Sequence, residues 1–357
     1  MKGFAQQPAN GTKAAGTSGV VSELAQTLAI DRLKRDRPFG ALALGRAGLD
    51  LYPLEDGGKI AEAAGFTSDL GGSAGNIAVA LARQGVSVGL LSAVSDDPVG
   101  RFVSSRLESF GVDTRFLQTV SGDPRTSLAL AEVRAADCEV TIYRNNAADL
   151  QLTADDALVA AVAEAGVLII TGTALVADPS RAATMVLLAA ARAAGTVTVF
   201  DLDYRAYAWS SREETAAVYD RAAGLCDLIV GNSEEFSVFS ADGNGEAAAA
   251  SLTETDGRLA IVKRGGSGAT VLGAGWRIDS GVFPVTALKP YGAGDAFMGG
   301  LMAALLKRET LEEAVRCGSA AAAMVVSRRG CASAMPDSAE LTTFLSSQQM
   351  TSNPTRT

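Results

Sequence analysis

The chain has 357 residues, 48% of them hydrophobic, with a formal net charge of −9 and no histidine. That size supports a large buried core, and the acidic balance argues against general nucleic-acid binding and against docking on an anionic membrane. The missing imidazole excludes Ser-His-Asp and Cys-His hydrolysis, His-ligated zinc and phosphohistidine chemistry, so acid–base work falls to Asp, Glu, Lys, Tyr or Cys.

Residues 1–36 are rich in Ala, Gly, Thr, Ser and Gln and lack the apolar core of a signal peptide. They are expected to be a mostly disordered tail, within which Val20 to Leu33 has the spacing of a short amphipathic helix. No apolar run reaches the ~18 residues of a membrane span. Four scattered cysteines, Cys138, Cys226, Cys317 and Cys331, form no C-x-x-C pair. Reduced thiols in the cytoplasm are the expectation.

From Phe39 the pattern changes. Phe39 to Gly45 is a short apolar run that suits a buried strand, and a loop carries the chain to Asp50. Residues 49–70 read as small strands. Gly71-Gly72 then opens a helix that begins near Asn76. A strand follows over Ser87 to Val94, then a helix with Pro98 in its first turn that runs to about Phe110. Within 114–146, three β-forming stretches separated by turn residues predict an antiparallel patch.

Beyond this patch, helices over 153–164, 179–194 and 213–224 alternate with apolar strands ending at Thr171, Asp201 and Val230. Strand Leu259 to Lys263 and a hairpin near 268–278 complete the series. Such alternation predicts an α/β fold with a mostly parallel sheet covered on both faces. The pieces at about 50–70 and 115–146 do not fit it, and are expected to form a small separate sheet at its edge.

Ligands of open α/β sheets bind outside the carboxyl ends of the strands. Polar residues recur at those ends: Asp50; Asp201, Asp203 and Arg205; Asn232 and Glu235; Lys263 with Gly265 and Gly268; and Gly292-Ala293-Gly294-Asp295. The last group opens a nearly all-apolar run to Lys307, long enough for a buried helix, so its amides form an anion site at a helix start. Asp295 is there either to cap the helix or to act as general base on a hydroxyl that attacks a phosphate. Asn232 and Glu235 fit a helix cap or a Mg²⁺ site, and Lys263-x-Gly265-x-x-Gly268 a hairpin turn or a nucleotide phosphate site. Gly71-Gly72 and Asn76 fit a tight turn or a sugar site. Tyr143 and Arg144 end a strand, and Arg144 and Arg205 have the forked guanidinium that binds a carboxylate. No P-loop or Rossmann glycine motif occurs.

Together these segments resemble the ribokinase-like (PfkB) sugar kinase family over about Phe39 to Phe344. Gly71-Gly72-x-x-x-Asn76 looks like that family's N-terminal signature and Gly292 to Asp295 like its C-terminal one. The resemblance implies a three-layer fold over 37–346 with a mostly parallel central sheet and a β-rich lid, followed by a tail at 347–357. It implies Mg²⁺- and ATP-dependent phosphorylation of a sugar's terminal hydroxyl, with dimerisation through the lids. Asp295 would be the base. Asp50, Gly71, Gly72, Asn76, Tyr143, Arg144 and Arg205 would surround a small sugar acid. Asn232, Glu235, Lys263, Gly265, Gly268 and Ser319 would serve the nucleotide and metal. A rival reading is a sugar- or nucleotide-binding regulator on the same fold, against which the intact Asp295 argues. Two departures stand out. Where many members carry an Asp-Thr pair that supports a monovalent cation, this chain has Lys289, Pro290 and Tyr291, and the Lys289 ammonium is a candidate replacement for the cation. Ser319 stands where an Asn often lies beside the adenine.

Overall fold

A computed structural model of the chain describes residues 31–33, 37–254 and 257–351. Its strands are β1 (Phe39–Leu44), β2 (Gly48–Pro53), β3 (Phe66–Gly71), β4 (Val88–Ser95), β5 (Leu117–Val120), β6 (Leu128–Ala131), β7 (Val140–Tyr143), β8 (Ala165–Thr171), β9 (Val197–Asp201), β10 (Leu228–Asn232), β11 (Leu259–Lys263), β12 (Ala269–Gly273) and β13 (Trp276–Ser280). The large sheet has the order β13-β12-β11-β10-β9-β8-β1-β4-β5. From β5 to β11 all pairings are parallel, and β12–β13 adds the expected antiparallel hairpin.

Strand β1 shows why the sheet is buried on both faces. Its side chains alternate, so Ala41 and Ala43 enter one core while Leu42 and Leu44 enter the other. The first core includes helices Ser73–Arg83, Ala293–Leu306 and Leu311–Val326. The second includes helices Asp156–Glu164, Ser180–Ala193 and Arg212–Ala223. Three layers result, as expected.

The small sheet has the order β3-β2-β6-β7. Two expectations for it need correction. Leu117–Val120 does not join the antiparallel patch; it pairs in parallel with Ser92–Ser95 at the edge of the large sheet. Nor is the patch wholly antiparallel, because β2 and β6 run parallel. The four-residue β5 has no local pattern that separates an edge strand of one sheet from a strand of the other.

The described residues reach into both segments expected to be tails. Residues 1–30 and 34–36 lie outside the described residues, but 31–33 form a helical turn with Leu33 buried and Arg32 ion-paired to Asp227. At the other end, Thr351 exchanges two backbone hydrogen bonds with Val282. Among the described residues no helix is long and apolar enough to cross a membrane.

Candidate active site

The carboxyl ends of the parallel strands and the inner face of the small sheet enclose one cavity of about 1140 Å³. Helix Ala293–Leu306 starts in it. Gly292 has φ 81°, a left-handed conformation that a side chain would strain, and an added Cβ would meet Cys331 Sγ and Val325 Cγ1 at 3.2 Å. Phe297, Met298, Leu301, Met302 and Leu305 anchor the helix in the core; each such burial contributes about 1.5–3 kcal/mol. No side chain caps its first turn, so its leading N–H groups remain available to a ligand.

Asp295 is therefore not the cap. It sits at the third helical position, and its Oδ2 accepts from Asn76 Nδ2 at 2.7 Å. The packing one turn below sets up that meeting. Gly299 approaches helix Ser73–Arg83 so closely that an added Cβ would lie 2.2 Å from Ala80 Cβ. Asn76 and Asp295 are each four residues earlier, one turn up the same faces. A bulky residue at 299 would push the two functional side chains apart.

Electrostatics set the Asp295 carboxyl apart from an ordinary one. Exclusion of water raises its pKa, Asp203 and Asp201 raise it further, and Asn76 and Lys263 oppose the shift; the result is about 7. Asp201 is likewise raised to about 6, by burial first and then by Glu235 and Asp203, with Lys263 opposing. Lys263 Nζ lies 3.3 Å from Asp201 Oδ1. Burial works against its charge, but Asp201, Glu235 and Asp295 outweigh that and hold it above the ordinary lysine range. Arg205 pairs with Asp203 at 2.7 Å.

At the other end of the cavity Asp50 is buried and accepts from Tyr52 Oη at 2.9 Å. Burial raises its pKa to about 6, against the pull of Arg46 and Tyr52. Tyr52 stacks on Tyr291, whose hydroxyl donates to Glu132 O at 2.9 Å, which ties the loop before Gly292 to the small sheet. Lys289 is fully buried and donates to Tyr291 O at 2.8 Å; burial leads in lowering its pKa, against Cys331, Asp295, Asp69 and Asp50.

Most of the residues singled out from sequence line this cavity: Asp50, Gly72, Asn76, Arg205, Asn232, Glu235, Lys263, Gly265, Gly268, Gly292 to Asp295 and Ser319. Asn232 and Glu235 also form the capping box of the following helix, with Glu235 N to Asn232 Oδ1 at 2.8 Å and Asn232 N to Glu235 Oε2 at 2.7 Å. Three residues stand apart. Tyr143 is exposed at the end of β7, outside the lining. Arg144 is held by Asp149 and by Thr173 O at 2.8 Å, and does not line the cavity. Gly71 makes room for the chain itself, since an added Cβ would lie 1.9 Å from Asp50 Oδ1. Arg46 and Ser73 line the cavity although neither was singled out.

The model of the family described as pfkB family carbohydrate kinase matches residues 41–338. The chain belongs to that family. This kinase is 40% identical over 323 residues to a 5-dehydro-2-deoxygluconokinase from Photobacterium profundum, covering 89% of this chain and 98% of that one. A 5-dehydro-2-deoxygluconokinase from Shouchella clausii is 37% identical over 324 residues, covering 89% and 99%. Among solved structures, a fructokinase with bound ATP from Xylella fastidiosa superposes with a TM-score of 0.76 over 86% of this chain and 98% of its own, at 22% identity, a likeness of fold. The kinase is thus a phosphotransferase acting on a small sugar.

Proposed function

We propose that this kinase transfers the γ-phosphoryl group of ATP to the 6-hydroxyl of 5-dehydro-2-deoxy-D-gluconate, a step in myo-inositol catabolism. The placement of Asp295 carries the reading: a carboxylate with pKa about 7 beside uncapped amides of a helix start. The relatives' names supply the acceptor. Asp295 accepts the proton of the attacking hydroxyl, while the amides at 292–294 receive the charge of the transferring phosphoryl group. Asn76 holds the Asp295 carboxylate in aim; its own Oδ1 is buried without a partner, a deficit that a bound hydroxyl would relieve. Lys263 and the turn Gly265–Ser267 serve the nucleotide phosphates, and Ser319 lies at the adenine end. The small sheet acts as a lid that excludes water.

The donor set suits Mg²⁺, which keeps several waters and takes few carboxylates. Among the described residues no group of three or more His, Cys, Asp or Glu forms a metal cage, whereas Asn232 and Glu235 line the cavity. Glu235 would hold the hydrated ion against the phosphates, where it would neutralise their charge. Lys289, tethered to Tyr291 O, supplies a fixed cation beside the same loop, so activity without added K⁺ is the expectation.

ADP release by the purified protein and by Asp295→Asn, over a panel of keto-deoxy sugar acids, tests the reading. Equal activity of the two proteins, or no activity on any acid, would sink it. A preference for 2-dehydro-3-deoxygluconate would overturn the acceptor while leaving the kinase. A cytoplasmic homodimer is part of the proposal, with Tyr143, exposed on the lid's outer strand, in its contact. A monomer mass in sedimentation at micromolar concentration would refute it.

A further inference from the structure

The sugar-acid reading needs a cation for the acceptor's carboxylate, and the cavity's cations differ in how committed they are. Lys263 is paired with Asp201 and Arg205 with Asp203. Lys289 also lines the cavity, but its ammonium is fully buried and donates to the backbone carbonyl of Tyr291 at 2.8 Å. Arg144 is bound to Asp149 and lies off the cavity. Arg46 is the exception. It is 9% exposed and lines the cavity, and its one hydrogen bond among the described residues runs from Nη1 to a neutral hydroxyl, Ser127 Oγ, at 3.2 Å. No acidic side chain among the described residues forms an ion pair with it. A guanidinium has five donors, so most of this buried cation's hydrogen-bonding capacity opens on the cavity without a protein partner. No Arg46 nitrogen is among the buried atoms left without a partner, so its remaining donors are open to a ligand in the cavity.

The backbone fixes where this arginine sits. Arg46 lies in the turn between β1 and β2, the crossing from the large sheet to the lid. Its carbonyl accepts from Gly75 N at 3.2 Å, and an added Cβ at Gly72 would lie 2.5 Å from that oxygen. Ser127 immediately precedes β6 and holds the guanidinium at the lid end. Asp295 and the phosphate amides occupy the other end, on helix Ala293–Leu306. A sugar acid phosphorylated at its last carbon has the same polarity, with the hydroxyl at one end and the carboxylate at the other.

We propose that Arg46 is the specificity-determining residue that binds the acceptor's carboxylate, with Ser127 positioning it. This rests on the sugar-acid kinase reading above. Asp50, close by, shares Arg46's field in the free enzyme and reads a hydroxyl in the complex.

The test compares a keto-deoxy sugar acid with its neutral methyl ester as acceptors for wild type, Arg46→Met and Arg46→Lys. Removing one partner of a desolvated charge pair should lower kcat/KM for the acid about 100-fold in Arg46→Met, mainly through KM. The KM for ATP should hold, and the preference for acid over ester should collapse. Arg46→Lys keeps charge and length but loses the fork, so roughly a tenfold loss on the acid is expected, with smaller change on the ester. An acid-to-ester preference equal to wild type in either variant overturns the proposal, whether overall activity falls or not. If Arg46→Met does not fold, Arg46→Lys alone decides. A wild type active on the acid with unchanged variants refutes Arg46 only. A wild type that phosphorylates neutral sugars and no acid refutes the acceptor class, and this inference with it.

Discussion

The cavity's two ends rest on different sheets and handle their carboxylates differently. At the large-sheet end Asp201, Asp203, Glu235 and Asp295 converge, and the like charges add to burial in raising Asp295 to about 7 and Asp201 to about 6. At the lid end Asp50 is raised to about 6 by burial, but there Arg46 and Tyr52 offset the shift. One end gathers acids and tunes a base; the other holds Asp50, with the like charge of Asp69 across the strand, among donors and aromatic rings. The difference suits a molecule that must give up a proton at one end and be recognised at the other.

The sharpest break in that comparison is Asp295→Asn. It should reduce kcat by about 10²–10⁴-fold while ATP still binds, measured by ADP release and by nucleotide titration. Lys263→Met comes next, because it strands the buried Asp201 without its partner. A stability loss of about 3 kcal/mol is expected from denaturant midpoints, and an unchanged midpoint would mean the pair does not hold that end together.

The pH response is a smaller effect and separates the base from its surroundings. kcat/KM should rise about tenfold per unit below pH 7 and level off above it, since Asp295 must be ionised to accept a proton. Stability should move the other way. A carboxyl raised from 3.8 to about 7 on folding contributes stability that is full below 3.8 and lost as pH rises through 7. Asp295→Asn should therefore flatten the decline in melting temperature between pH 5 and 8, and an unchanged slope would count against the raised pKa. Tyr291→Phe is the mildest change. It removes the hydrogen bond to Glu132 O that ties the loop before Gly292 to the lid, at about 1 kcal/mol. The acceptor KM should rise a few-fold with kcat nearly kept, and an equal fall in kcat would place Tyr291 in the chemistry instead.

The large-sheet end was legible in the sequence because its signals are local. An apolar strand that ends in a polar residue announces a carboxyl edge, and Gly292 to Asp295 announces a helix start. Asn232 and Glu235 were legible as a cap for the same reason. The lid end was harder. Strand β5 is four residues long and joins whichever sheet tertiary packing offers. Arg144 looked available because its partner Asp149 is invisible until the chain turns back on itself. Gly71 looked like space for a sugar, whereas it accommodates Asp50. Arg46 was present in the loop after β1, but nothing local distinguishes a buried unpaired arginine from a solvated one.

The lid's chain order has a consequence for how the protein assembles. Strands β2 and β3 leave the large sheet early, and β6 and β7 return only after β4, helix Pro98–Ser109 and β5 have formed part of it. The parallel register Leu49 to Leu128 therefore closes a long loop whose entropy is offset only once the flanking layers exist. That closure cost makes the lid the sheet expected to fold last and open first. Native-state hydrogen exchange should find β6 and β7 exchanging well before β1 and β8, and the reverse order would refute this. A protein built this way should complete its cavity in the final step of folding, so a chain caught short of the native state is expected to hold a finished large sheet without the lid side of the cavity.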